Sequence, residues 1–167
     1  MKNEFTLTIY SEDQLRLINK LSAMFLRKQV QIVSLNMSVC EMDKIYRHTI
    51  VVNETLDVVV NLAAQIEKVI EVFRCFYHLN EELVCRQVAL FKIPTAVFLT
   101  GSLDFLLRKN DLKISEIQQE YVILQATATA DELEALTEKL NPLGLIEFVR
   151  SSGIAMVKSG GGFVAEI

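Results

Sequence analysis

Apolar and polar residues alternate through residues 5–10 (FTLTIY), the period-two signature of a half-buried strand. The period then changes. Leu17, Ile18, Leu21, Met24 and Phe25 fall on one face of a helix that ends near Lys28. Ser11, with Gln14 three positions on, fits a capping box for that helix. Residues 32–40 alternate again, residues 41–44 read as a polar turn, and residues 46–52 as a third strand. Thr55 opens a second helix with Val59, Leu62, Ala63, Ile66 and Ile70 inward, and residues 69–78 give a fourth strand. The order is βαββαβ.

The remainder repeats this order more loosely. Residues 83–93 read as a strand stopped by Pro94, and residues 95–108 as a helix weakened by Gly101. Two strands follow at residues 111–118 and 121–128. Thr129 with Glu132 is a second capping box, opening a helix that turns Leu133, Leu136 and Leu140 inward and ends at Asn141 and Pro142. Residues 143–149 form the last strand of the repeat, and residues 153–157 add an edge strand. A polar break at residues 80–82 separates the halves. The predicted fold is α+β: two ferredoxin-like βαββαβ domains in tandem at residues 1–80 and 83–158, with residues 159–167 as a flexible tail.

Composition adjusts this picture. Hydrophobic residues make up 51% of the 167, yet no apolar run approaches the roughly 18 residues that span a bilayer. Mean hydropathy is +0.30. The excess apolar surface predicts a protein–protein interface. The opening residues carry a lysine, early acids and only a short apolar stretch, which does not fit a signal peptide. Net charge is −4 with scattered basic residues, so nucleic acid is not an expected partner. Cys40, Cys75 and Cys85, odd in number and in apolar contexts, predict buried reduced thiols in a cytoplasmic protein. With no CxxC and only His48 and His78, no zinc site is expected.

Catalytic motifs are lacking: there is no GxSxG, P-loop or HExxH. Gly160, Gly161 and Gly162 have no helix after them on which to seat a phosphate. His48 shares a strand face with Tyr46 and Ile50, which predicts a packed histidine, and His78 ends a strand. No catalytic residue is assigned. A small acylphosphatase-like hydrolase would use an arginine near the first strand–helix turn, where Arg16 stands. The acids Glu12 and Asp13 in that turn repel phosphate.

Two stretches carry a resemblance. Residues 11–39 (SEDQLRLINKLSAMFLRKQVQIVSLNMSV) have a strand–turn–helix–loop–strand layout, with Gln31-Ile32-Val33-Ser34-Leu35 where a related family has an "NIESL" strand. Residues 84–93 (VCRQVALFKI) and 145–153 (LIEFVRSSG) match the first strand and closing "RSG" turn of the second half. In order and spacing the chain resembles the acetolactate (acetohydroxyacid) synthase small subunits, whose first domain is an ACT domain. The resemblance implies a non-catalytic regulatory subunit in branched-chain amino acid biosynthesis. It implies a homodimer through the ACT domains, and a large catalytic partner that uses thiamine diphosphate, magnesium and FAD. No cofactor is implied for this chain itself.

The resemblance also implies an amino-acid site at Asp13, Leu15, Arg16, Leu17, Gln31 and Ile32. A helix N-terminus supplies N–H groups for a carboxylate, a glycine admits close approach, and amide side chains bond both charged ends. The family has asparagine, glycine and asparagine at three of these positions; here they are Asp13, Arg16 and Gln31. Asp13 only accepts, Arg16 fills the glycine's space or clamps a carboxylate, and Gln31 reaches one methylene further. Each lost charged hydrogen bond costs about 1.5–3 kcal/mol, so valine feedback is expected to be weak or absent. The alternative reading is a stand-alone tandem ACT sensor for another amino acid, with Arg16 as its carboxylate clamp.

Overall fold

The computed structural model describes residues 1–12 and 15–159. It divides into two compact units, Met1–Cys85 with the segment from Ile154 on, and Arg86–Gly153.

The first unit contains β1 (Asn3–Ser11), α1 (Leu15–Arg27), β2 (Ile32–Val39), β3 (Tyr46–Glu54), α2 (Leu56–Ile66) and β4 (Val72–Leu79). Its sheet runs β2-β3-β1-β4. Alternation in β1 puts Phe5, Leu7 and Ile9 in the core, where Leu17, Leu21 and Phe25 of α1 and Val59, Leu62, Ala63 and Ile66 of α2 pack with them. Helix α1 stops at a Schellman closure: Val30 N–H bonds the Phe25 carbonyl and Gln29 N–H the Leu26 carbonyl. Gln29 takes the left-handed conformation there, at φ +56°.

One apolar position falls elsewhere than predicted. Ile70 is 91% exposed rather than on the buried face of α2. The helix ends at Ile66, and Val69 takes the inward place in the turn that follows. That turn also delays β4 to Val72.

A single 3-10 turn, Asn80–Glu82, leads into β5 (Leu83–Pro94). Then come α3 (Thr95–Leu99), α4 (Asp104–Lys109), β6 (Lys113–Ile117), β7 (Tyr121–Ala128), α5 (Ala130–Leu140), β8 (Glu147–Arg150) and β9 (Ile154–Val157). The order β6-β7-β5-β8 repeats that of the first sheet, and β9 also pairs with β5. The α+β reading with two βαββαβ sheets is therefore what the backbone adopts. Lys158 N–H bonds the Glu82 carbonyl and its Nζ the Glu81 carbonyl, tying the end of β9 to the Asn80–Glu82 turn. The compact second unit accordingly ends at Gly153, short of residue 158.

The helix predicted over residues 95–108 is two short ones. Gly101 turns left-handed at φ +74°, Thr100 Oγ1 bonds the Val97 carbonyl at 2.7 Å, and α4 restarts from the Gly101 carbonyl. The last predicted strand begins only at Glu147, because residues 141–143 form a 3-10 turn closed by Gly144 at φ +85°. The Thr129–Glu132 capping box is present, with Glu132 N–H donating to Thr129 Oγ1 and Thr129 N–H to Glu132 Oε2. Residues 160–167, including the three glycines of the expected tail, lie outside the described residues.

Candidate functional site

The β1–α1 turn begins at Ser11, the last residue of β1 and fully buried. The strand partner of Ser11 in β4 is Val72, and the register slips there by one residue. Ser11 Oγ lies 2.9 Å from His48 Nε2 on β3. The other half of its predicted capping box, Gln14, lies outside the described residues. So does Asp13.

The next residue is tied to the α2–β4 turn: Glu12 N–H donates to the Glu71 carbonyl at 3.0 Å. Lys20 Nζ of α1 holds both Glu71 carboxylate oxygens, at 2.6 and 2.7 Å. That bond, with the positive charge of Arg16 adding to it, holds the Glu71 carboxyl below its usual range. Arg16 is exposed on the first turn of α1, so the arginine standing in the glycine's place faces Glu71 electrostatically.

The other predicted site residues divide sharply. Leu15 is 75% exposed, whereas Leu17 has no exposed surface and belongs to the core. Gln31 is exposed just ahead of β2, and Ile32 packs half-buried against the core. Arg16 and Gln31 stand at opposite ends of α1, which has 13 residues and is about 20 Å long. One chain therefore does not bring the turn and the loop together. An open groove of about 440 Å³ beside α1 is lined by Met24, Arg27, Lys28 and Gln65, none of them a predicted ligand residue.

Among the described residues, the β2 edge of the first sheet is uncovered. β2 ends the sheet, and Val33, Leu35 and Val39 on it are 58%, 43% and 65% exposed. An unpaired edge strand with that much apolar surface is a template for another strand.

Two features escaped the sequence reading. His48 was placed as a packed histidine, but its pairing with Ser11 needs the β1–β3 register, which sets His48 opposite Ile9 and so diagonal to Ser11. Arg47 grips Glu41 through both oxygens, at 2.9 and 3.0 Å, and pulls its carboxyl down to about 2. The six-residue spacing across the β2–β3 hairpin was the available signal. Of the three cysteines only Cys75 is buried; Cys40 and Cys85 are partly exposed rather than buried as expected. Among the described residues, no three His, Cys, Asp or Glu side chains are grouped to hold a metal, and no helix is long and apolar enough to cross a membrane.

Residues 86–159 match the family model described as the small subunit of acetolactate synthase, starting where the second compact unit starts. The acetolactate synthase small subunit of Mycolicibacterium smegmatis is 28% identical over 155 residues, covering 93% of this chain and 91% of its own length. That of Bacillus subtilis is 25% identical over 159 residues, covering 95% and 91%. Over nearly its whole length the chain is similar to acetolactate synthase small subunits. The solved small subunit of Thermotoga maritima has the same fold, with a TM-score of 0.81 at 21% identity over 95% of this chain and 99% of that one. Around the first turn this chain sets Arg16 and Lys20 against Glu71, and pairs Ser11 with His48.

Proposed function

We propose that this chain is the non-catalytic regulatory subunit of an acetolactate synthase in branched-chain amino acid biosynthesis. It acts in the cytoplasm as a homodimer that binds and activates a large catalytic subunit. The observation that carries this reading is the end-to-end likeness to small subunits of that enzyme, 93% of the chain against 91% of the relative. Thiamine diphosphate, magnesium and FAD belong to the partner, which condenses pyruvate.

The dimer is supported by the split site. With Arg16 and Gln31 a helix length apart, antiparallel pairing of β2 with β2 of a second copy sets the turn of one chain beside the loop of the other. It also covers Leu35 and Val39. The amino-acid site so completed is Leu15, Arg16, Gln31 and Ile32 with Asp13, altered enough that valine inhibits weakly or not at all. The test is co-expression with the catalytic subunit. Co-purification and a faster acetolactate rate are expected; no association and no change of rate would overturn the proposal.

A further inference from the structure

His48 is a buried titratable group that this regulatory reading does not use. It has no exposed surface, and its Nδ1 is buried with no hydrogen-bond partner among the described residues. Orphaned buried donors are rarer than orphaned acceptors, so the lone pair rather than a proton belongs on Nδ1. The proton then sits on Nε2, which donates to Ser11 Oγ at 2.9 Å. Accepting there turns the Ser11 hydroxyl hydrogen away from His48.

The place of this bond in the chain gives it consequence. Ser11 is where β1 leaves register with β4, an extra residue, Phe73, standing between the partners of Tyr10 and Ser11. One residue later Glu12 N–H meets the Glu71 carbonyl, and Glu71 is gripped by Lys20 from α1. The strand end is thus held from below by His48 while the turn's entry and the helix after it are both tied to Glu71. With the bulge on its β4 side, the strand end at Ser11 is where loss of the His48 bond would pass on to Glu12.

We propose that His48 is a positioning residue for the effector turn: by holding Ser11 through Nε2–H it sets the entry of Glu12 into that turn. The proposal rests on reading the β1–α1 turn as half of an amino-acid site, but its test needs neither ligand nor partner.

The test is amide exchange of Glu12, followed by NMR in the full chain. In His48→Leu the Glu12 amide should exchange at least tenfold faster, while Ile50 in the β2–β3–β1 ladder keeps its protection. His48→Gln carries an amide nitrogen the same number of bonds from Cβ as Nε2, and should restore Glu12 to within about threefold of the native rate. If His48→Leu does not fold, Ser11→Ala removes the same bond with the imidazole left in place, and the same tenfold rise is expected. Unchanged Glu12 exchange in the variant that folds, or a Gln variant no better than the Leu one, overturns the proposal. Imidazole nitrogen shifts reporting an Nδ1–H tautomer would overturn it too. Amino-acid titration of the native chain, run separately, tells a failed effector reading from a failed positioning role.

Discussion

The imidazole of His48 and the hydroxyl of Ser11 meet at 2.9 Å with no surface of either residue exposed. Burial lowers the His48 pKa below its ordinary value of 6.5, so the native state keeps the ring neutral where the unfolded chain protonates it. The sign follows. Below about pH 6.5 the unfolded chain binds more protons, and stability falls as pH drops until the native pKa is passed. Above that pH the group contributes no slope. Thermal unfolding from pH 7.5 to 5 should show a falling midpoint that His48→Gln flattens. Glu41, Glu54, Glu71 and Glu132, whose carboxyls are held below 4.5, act only at lower pH and leave this window clear.

Cys75 is buried opposite Ile9, and burial, with the charge of Glu67 adding to it, pushes its thiol up to about 12. A thiolate is then scarce at any working pH. Titration with a colourless aromatic disulfide at pH 8 should label two thiols per folded chain, Cys40 and Cys85, and a third only in denaturant. Three fast-reacting thiols in the native protein would contradict the buried placement.

Gln29 closes α1 at φ +56°, where an L side chain is strained and glycine is not. Left-handed backbone costs a non-glycine residue about 1–2 kcal/mol, and the freer unfolded chain takes back part of that. Gln29→Gly should therefore stabilise the fold by about 0.5–1 kcal/mol in urea unfolding with an unchanged slope. Gln29→Val, β-branched at a positive φ, should destabilise it by more.

These particulars show which parts of the molecule the sequence makes legible. The apolar period revealed β1, α1 and α5 because each buries one stripe: Leu17, Leu21 and Phe25 recur four apart, and Phe5, Leu7 and Ile9 two apart. It misplaced Ile70 and fused α3 with α4. Continuing apolar content does not say where a chain turns, and a left-handed Gly101 looks the same in a list of residues as a tolerated one. Arg16 was legible as a residue out of place, but not its neighbour. Glu71 lies 55 positions away in sequence and reaches α1 only through the crossover of α2 to β4.

The bare edge of β2 gives a test of the proposed dimer. Leu35 and Val39 are 43% and 65% exposed on a strand that ends the sheet, and burying such side chains contributes about 25 cal/mol per Å². A lysine on an edge strand opposes pairing by carrying a charge that the partner strand must desolvate. Val39→Lys, alone or with Leu35→Lys, should shift sedimentation equilibrium from dimer towards monomer while circular dichroism stays native. Activation of the catalytic subunit should weaken in parallel if the dimer is the active form. A dimer of undiminished affinity in the double variant would place self-association on a different surface.

The proposed effector site, and its alteration, is tested by reversing the three changes. Arg16→Gly opens space in the first turn of α1 and withdraws a positive charge from Glu71, while Lys20 keeps its grip on that carboxylate. Asp13→Asn replaces an acceptor-only side chain with one that also donates, and Gln31→Asn shortens the reach from the loop by one methylene. Restoring one hydrogen bond to a charged group is worth about 1.5–3 kcal/mol, or more than tenfold in affinity. The helix loses about 1 kcal/mol to the new glycine, which unfolding would register without affecting the comparison. In calorimetry the triple variant should bind valine at least tenfold more tightly than the native chain, with Asp13→Asn alone giving a smaller gain. Equal affinity in both would mean that these three positions do not contact an amino acid, and that the turn serves the partner subunit instead.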